Sequence, residues 1–498
     1  MGTTDFSQPL RQSSKGIIII FAFNTFKFLK RFFVAFLAIG FSLMKKKTFG
    51  SLSVTMLLLI LFGILIIILV IAILKYLNFK FHVNDEDFHL STGIITKDHT
   101  IIPKSKIQNI YIKQNFLQQL IQVVSLNIET AGDKKSEIEI NALDKSTALQ
   151  LKQRLFDKTK MVSQVEEDAS NSDQVFFKVS PKRLILEGIS QNHLRSFAII
   201  ASFVFGLYYE FKDYFSDLNL RSWLESLLQF EEESLLNLVI ANVILVGLML
   251  FGSLLFSVIK TFVVNFNLEV IENKKTIEIN KGLFNKVSLS LTPSRIQNLV
   301  VKTNRVKRYF GLHTLSVKQA MVNVKQRKNF VIIALEKLQL HHLIEKLLDH
   351  YTLGPEILKP QGFYKRVLAF RIIFLAAVIH MPGLLVFGAF FLWFNLLWLP
   401  IIGLYIHYGY KKAYYSISSD FITVGSGIID TTTNILEISK IQAVKFQQNI
   451  FQKQRQIASV SIATASKTVV IPYISQLDAE NIHDFLIYQV ESQAKDWM

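Results

Sequence analysis

"SKIQNI" occupies Ser105–Ile110, "SRIQNL" Ser294–Leu299 and "SKIQAV" Ser439–Val444. The same hexapeptide written three times marks an internal repeat, and the repeat decides the fold. The frame around it is fixed. Gly93, Gly282 and Gly427 each stand 12 positions before the serine, and Ala131, Ala320 and Ala465 each stand 26 after it. No gap is needed between them, so one small domain is used three times.

Within each copy the apolar period is two. "SLNIET" alternates Leu126 and Ile128 with polar neighbours, and "TLSVKQ" and "SVSIAT" do the same. That is the pattern of strands with one buried face. The repeated glycine falls between two such runs, as in "DFHLSTGIIT", where a tight turn needs a residue tolerant of positive φ. In the hexapeptide, Ile107, Ile296 and Ile441 are expected to point inward. Gln108, Gln297 and Gln442 are expected to point outward or into a backbone hydrogen bond. A helical pattern closes each copy. In "SQLDAENIHDFLIYQV", Ile482, Phe485, Leu486 and Val490 share one helix face, and Ser475 with Asp478 resembles a capping box. "ALDKSTALQLKQRLF" and "EKLQLHHLIEKLL" hold the same place in the other copies. Each domain is therefore several antiparallel strands followed by one amphipathic helix that covers the open face of the sheet.

Between the copies lie long apolar runs. Thr55–Leu74, Leu235–Ile259 and Gly383–Ile406 are free of charge and long enough to cross a hydrocarbon core of roughly 30 Å as helices. A shorter apolar stretch precedes each: Phe32–Met44, Phe197–Tyr209 and Val367–Met381. Three helical hairpins, about six spans, are expected, the third broken at Met381-Pro382-Gly383. "GIIIIFAFNTFKFLKRF" ends in basic residues with no small-residue cleavage site, so it reads as an amphipathic surface helix and not as a signal peptide. The chain divides into 1–76 (N-terminal helix and first hairpin), 77–190 (first domain), 191–264 (second hairpin), 265–360 (second domain), 361–407 (third hairpin) and 408–498 (third domain). Two spans per hairpin put all three domains on one side. The Phe211–Leu235 link is acidic, whereas Lys75, Lys80, Arg195, Lys260, Lys365, Arg366, Lys411 and Lys412 flank the domain side. Basic residues collect on the cytoplasmic side, so the domains are placed in the cytoplasm, against the opposing vote of Lys45–Lys47.

These features resemble bacterial membrane proteins of the YdbS/YdbT type, which alternate helical hairpins with pleckstrin-homology-like (PH-like) domains of the second bacterial class. The pattern of that class is a turn glycine, then "IP(L)xRIQ", then a "GLxxxxVxTAG" strand. "IPKSKIQNI", "TPSRIQNL" and "LEISKIQAV" match the first motif. "GLHTLSV" from Gly311 and "NIETAG" ending at Gly132 match parts of the second. Gln122 and Gln456 depart where the second copy has Gly311, and Glu437 departs where proline is expected, so divergent turns are expected there. The resemblance implies an antiparallel, partly open β-barrel capped by a C-terminal helix, a location in the bacterial cytoplasmic (inner) membrane, and no catalytic activity.

Little in the chain looks like chemistry. There is no cysteine, hence no disulfide and no thiolate metal site. No glycine-rich loop ends in Lys-Ser/Thr, and Gly425–Gly427 reads as a turn. His341 and His342 with Glu345 have helical spacing but read as a polar helix face, and His380 reads as a hairpin-tip residue. No metal, cofactor or catalytic residue is assigned. Charge is the informative signal. Of a formal +17, the stretch 265–365 carries +10, while the other two domains are near neutral. Arg295, Lys302, Arg305, Lys307, Arg308, Lys318, Lys325, Arg327 and Lys328 are the candidate contacts. Anionic headgroups are the first expected partner, at about 1 kcal/mol per basic residue near the surface. An acidic protein partner, or a solvated face with no partner, comes next, and a protein partner or homo-oligomer is expected for the chain as a whole. Nucleic acid is not expected, because aromatic interleaving is missing. The sequence thus reads as a non-enzymatic membrane protein whose modules bind or scaffold a partner at the membrane surface. A component of a transport or export system is the alternative, disfavoured by the few ionisable residues in the spans.

Overall fold

The structure, a computed structural model, describes residues 5–33, 36, 48–49, 52–130, 137–156, 174–193, 196–204, 206, 235–273, 276–319 and 330–492. The first repeat opens with β1 (Leu10–Arg11), α1 (Gly16–Arg31) and the apolar helix α2 (Val54–Asn78). Then come β2 (Lys80–Val83), β3 (Asp87–Thr92) and β4 (Asp98–Pro103), an antiparallel sheet that β1 joins beside β2. The hexapeptide is the corner into a second sheet: β5 (Ile107–Gln114), a short helix α3 (Phe116–Leu120), β6 (Val124–Thr130) and β7 (Glu137–Leu143). Helix α4 (Lys145–Phe156) follows.

The corner explains why the hexapeptide recurs. Lys104–Lys106, Pro293–Arg295 and Ile438–Lys440 each form one 3-10 turn, and the isoleucine starts the next strand. The register then skips one residue. Ile107 faces Thr130 but Asn109 faces Glu129; Ile296 and Asn298 face Gln319 and Lys318; Ile441 and Ala443 face Thr464 and Ala463. Gln108, Gln297 and Gln442 are thus the extra residues of β-bulges, which bend a strand and sharpen its twist where it changes sheets. Ile107, Ile296 and Ile441 are buried as expected. Gln442 is exposed, the outward alternative, whereas Gln297 is buried and does not take it. The repeated glycines have φ of +107°, +110° and +123°. A Cβ there would stand 1.9, 2.0 and 1.9 Å from the carbonyl oxygens of Thr96, Asn285 and Asp430, so no side chain fits. Gln122 and Gln456 do not make divergent turns. Their φ values of +59° and +54° match the +69° of Gly311, so all three repeats use one left-handed turn.

The second repeat brings β8 (Gln174–Lys178), α5 (Pro181–Ile189) and α6 (Leu235–Asn265). Its sheets are β9 (Glu269–Glu272), β10 (Ile277–Lys281) and β11 (Lys286–Leu291), then β12 (Ile296–Thr303), α7 (Arg305–Tyr309), β13 (His313–Gln319) and β14 (Val331–Leu335), closed by α8 (Lys337–Leu347). The third has α9 (Phe363–Phe387), α10 (Asn395–Lys411), β15 (Tyr414–Ile417), β16 (Phe421–Gly427) and β17 (Thr431–Glu437). It ends with β18 (Ile441–Gln447), α11 (Ile450–Lys453), β19 (Ile457–Thr464), β20 (Thr468–Ser475) and α12 (Gln476–Ser492). In the first and third repeats the core joins both sheets to the closing helix. Phe81, Phe88, Ile107, Leu126 and Ile140 meet Leu151 and Leu155 of α4; Ile422, Leu436, Ile441, Val460 and Ile471 meet Ala479 and Leu486 of α12.

The chain forms two compact units. One holds the first repeat with Val270–Ser290, the other Phe176–Glu269, Leu291–Ala320 and Phe330 onward. The second repeat is therefore split at its corner. In one sheet β11 pairs antiparallel with β5, giving strand order β8-β9-β10-β11-β5-β6-β7; in the other, β17 pairs with β12, giving β14-β13-β12-β17-β16-β15. The opening sheet of each later repeat thus extends the closing sheet of the one before. The repeat also begins earlier than the sequence frame. In each repeat a segment ahead of the apolar helices pairs with the chain that follows them: Leu10 with Phe81, Val179 N–H to the Leu268 carbonyl at 2.8 Å, and Leu358 with Tyr415. Residues 174–190, expected in the first domain, belong with the second, where Phe176 stacks on His342 at 4.4 Å.

Among the described residues, four helical stretches are long and apolar enough to cross a membrane: Thr55–Asn78, Val243–Asn265, Phe363–Leu385 and Phe391–Lys411. Of the expected first halves, Phe32–Met44 lies largely outside the described residues, whereas Phe197–Tyr209 is helical at its described residues, 197–204 and 206; the Lys45–Lys47 cluster and the Phe211–Leu235 link up to residue 234 lie outside them. The third pair is described, and its break is not at Met381-Pro382-Gly383. Helix α9 runs on to Phe387 and the chain turns at Gly388, with φ of +61°. His380 is accordingly not at the tip. It hydrogen-bonds the Ala376 carbonyl at 2.9 Å and its ring meets Phe391. Helix α1 packs on α2, and its Gly16 and Ile19 dock against Ala142 of β7.

Candidate functional site

The short helix after each corner has one local design. An asparagine caps it, with Asn115, Asn304 and Asn449 accepting from the N–H three residues on. That third residue is buried in all three. Gln118 donates to Ser125 Oγ at 2.6 Å, and Gln452 to Ser459 Oγ at 3.2 Å. The second repeat has Lys307 there, donating to Thr314 Oγ1 at 2.7 Å and ion-paired with Glu187 of α5. Thr314 Oγ1 also donates to Glu187 at 3.2 Å, and Gln191 Nε2 at 2.8 Å. The structure thus separates Lys307 from the basic cluster. Its ammonium is an internal charge, and Glu187, which the sequence did not single out, is its counter-ion.

The rest of the cluster divides by position. Arg305 and Arg308 are exposed on α7. Arg305 lies 4.3 Å over the ring of Tyr408, in the last turns of the apolar helix α10. Lys412, one residue beyond α10, caps the carbonyls of Ile428 and Ile429. Burial, then Arg308 and Arg305, push its pKa down, and Asp430 acts against them. Asp430 in turn accepts from Asn304 at 3.1 Å. Arg295 and Lys318 stand at the other end of β12 and β13, a strand length away, roughly 25 Å at 3.3 Å per residue. Arg295 is partly buried, which lowers its pKa. Lys302 is exposed near the α7 end; Lys467 has its pKa lowered by its own burial and, next, by the Lys302 charge. Lys325, Arg327 and Lys328 lie outside the described residues.

Beside Arg305 and Arg308 the surface is apolar. Tyr309 is 84% exposed, and Val306 and Ile429 are exposed too. The first unit has the same feature without the charge. Phe116, Leu117 and Leu120 of α3 are exposed, Phe116 meets Phe284 at 5.9 Å, and Gln119 donates to the carbonyls of Leu283 and Phe284. In the third repeat Ile450 and Phe451 are exposed on α11. Large apolar side chains thus stand exposed at corresponding tips of the three repeats. In sequence they were visible only as unremarkable residues after an asparagine. His341 comes within 3.7 Å of Glu345 on an exposed helix face, and among the described residues no three metal-ligating side chains gather.

Membrane helices leading into paired antiparallel sheets closed by a helix define a membrane protein built from PH-like modules. The bacterial PH domain family matches residues 26–159, 222–350 and 369–490, and the chain belongs to it. Each match runs through both sheets of one repeat and ends in or near its closing helix, in keeping with the repeat seen in the fold. Among curated proteins, the transmembrane protein YdbT of Bacillus subtilis (strain 168) is 24% identical over 424 residues, covering 82% of this chain and 84% of that protein.

Proposed function

We propose that this membrane protein is non-enzymatic and uses its PH modules to hold a partner at the membrane surface, with anionic headgroups met by the α7 tip. The observation that supports this most is Arg305 and Arg308 beside exposed Tyr309 and Val306, next to the end of apolar helix α10. Tyrosine suits the membrane–water interface, and basic residues near anionic lipid each gain about 1 kcal/mol. The far-end residues Arg295 and Lys318 are too distant to share that contact and suit an acidic protein instead.

The test uses the full chain in nanodiscs. It has no native cysteine, so Tyr309→Cys carries a single environment-sensitive fluorophore. Emission is expected to shift to the blue with phosphatidylglycerol present and not with phosphatidylcholine alone. The shift should shrink with salt, because exposed charges are screened beyond about 8 Å at physiological ionic strength. Arg305→Gln with Arg308→Gln should remove it. Equal emission in both lipids would defeat the headgroup reading.

Three hairpins of two spans, with all modules in the cytoplasm, complete the proposal; flanking charge supports it. Lys106→Cys, Lys337→Cys and Gln442→Cys, one exposed site per repeat, are each expected to resist an impermeant thiol reagent in intact cells. Labelling of one repeat alone would break the two-span parity of the hairpin before it.

A further inference from the structure

The two joints between repeats follow one register. Aligned on the hexapeptide, Gln114 corresponds to Thr303 and Gln448, and Lys286 to Thr431 and Lys97. At the first joint Gln114 faces Lys286, Lys113 faces Val287 and Ile112 faces Ser288. At the second Thr303 faces Thr431, Lys302 faces Thr432 and Val301 faces Thr433. These are the same positions. The rule joins the first strand of a closing sheet to the last strand of the next opening sheet. Three repeats use it twice and leave two strands over: β4 has only β3 beside it, and β18 only β19, among the described residues.

Among the described residues the leftover edges are bare where the joints are covered. At the second joint Leu299 and Ile435 face each other at 0% and 2% exposure. Their counterparts at the ends are Val444, half-buried, and Ile101, 59% exposed. The tip contact has the same gap. Phe116 on Phe284 corresponds to Ile450 on Ile95, which are 76% and 99% exposed. Unpaired edges are a liability that proteins normally blunt or cover. Here the two are complementary by the protein's own rule.

We propose that β18 of one copy pairs antiparallel with β4 of a second copy, continuing the array head to tail. The register sets Val444 opposite Ile101, Lys445 opposite Thr100, Phe446 opposite His99 and Gln447 opposite Asp98. Ile450 then covers Ile95. Lys445, a residue type that guards an edge against indiscriminate pairing, has Asp98 as its diagonal neighbour, within reach of a long side chain. The surface is heterologous, so successive copies add in one direction and form a ring only if the rotation closes.

Two differently tagged full-length chains, one with Thr100→Cys and the other with Lys445→Cys, are co-expressed and their membranes oxidised. Both positions are exposed, so each variant should fold. Directly opposed residues have Cα atoms about 4.5–5.5 Å apart, within the 4.4–6.8 Å usual for a disulfide. A bonded product carrying both tags is expected. Asp98→Cys with Lys445→Cys is out of register by two residues and should give at least about tenfold less, because cysteines more than about 7 Å apart do not bridge. Three results would each overturn the proposal: no two-tag product, equal yield from both pairs, or capture of a different protein in place of a second copy. A chain carrying both Thr100→Cys and Lys445→Cys that closes only on itself would overturn it as well.

Discussion

Glu187→Gln is expected to destabilise the unit that contains α5 and α7 by about 3–5 kcal/mol, the usual cost of stripping a buried charge of its partner. Glu187 is fully buried and the Lys307 side chain is 7% exposed, so solvent does little to soften the loss. Lys307→Gln alone should be similarly damaging, since it leaves the carboxylate without a cation. The two together should recover most of the stability. Gln at position 307 would meet Thr314 as Gln118 meets Ser125 and Gln452 meets Ser459 in the other repeats. The check is the urea concentration at which the solubilised full chain becomes open to a brief protease pulse, read from fragments of the Phe176-onward unit. Harmless single variants, or a double variant no better than either single, would refute the ion-pair account.

That pair shows where the sequence was legible and where it was not. The repeat frame, the glycine turn, the buried isoleucine and the closing helix could all be read, because each is a local constraint: a φ sign, an alternation, a helical face. Lys307 was read as part of a basic surface because Arg305 and Arg308 stand beside it in a strongly basic stretch of sequence. Its burial follows from the cap geometry of a five-residue helix and from Glu187, 120 positions away. Of the two placements expected for Gln297, outward or into a backbone hydrogen bond, the outward one fails because the bulge breaks strict alternation at its own position. Gln122 and Gln456 looked like departures because glycine is the usual left-handed residue; the turn imposes the conformation on glutamine. The third hairpin was divided at a Met-Pro-Gly sequence, yet the helix continues through it and turns at Gly388. The joints between repeats were illegible for a simpler reason. Pairing of strand edges far apart in sequence leaves no periodic trace, and only three copies in one frame let the register rule be seen.

The corner isoleucine is where the local reading can be put to its hardest test. Ile441→Ala is expected to cost about 2–5 kcal/mol, the range for large-to-small changes in a packed core. Ile441 lies among Ile438, Val460 and Ile462 beneath α12, and the bulge that follows it fixes the backbone, which limits how far the site can collapse onto the missing atoms. Gln442→Ala, one residue on and exposed, removes a side chain from the surface at the same bulge and should stay within about 0.5 kcal/mol. The two adjacent changes therefore separate packing from surface recognition. If the hexapeptide recurs to build the corner, Ile441→Ala lowers resistance to proteolysis in urea and Gln442→Ala leaves it alone. If it recurs to hold a common ligand, the exposed glutamine is the residue to miss, and Ile441→Ala would leave a stable third repeat that had lost its partner. Ile107→Ala and Ile296→Ala should behave as Ile441→Ala does, since each starts its strand at an equivalent bulge and is equally buried.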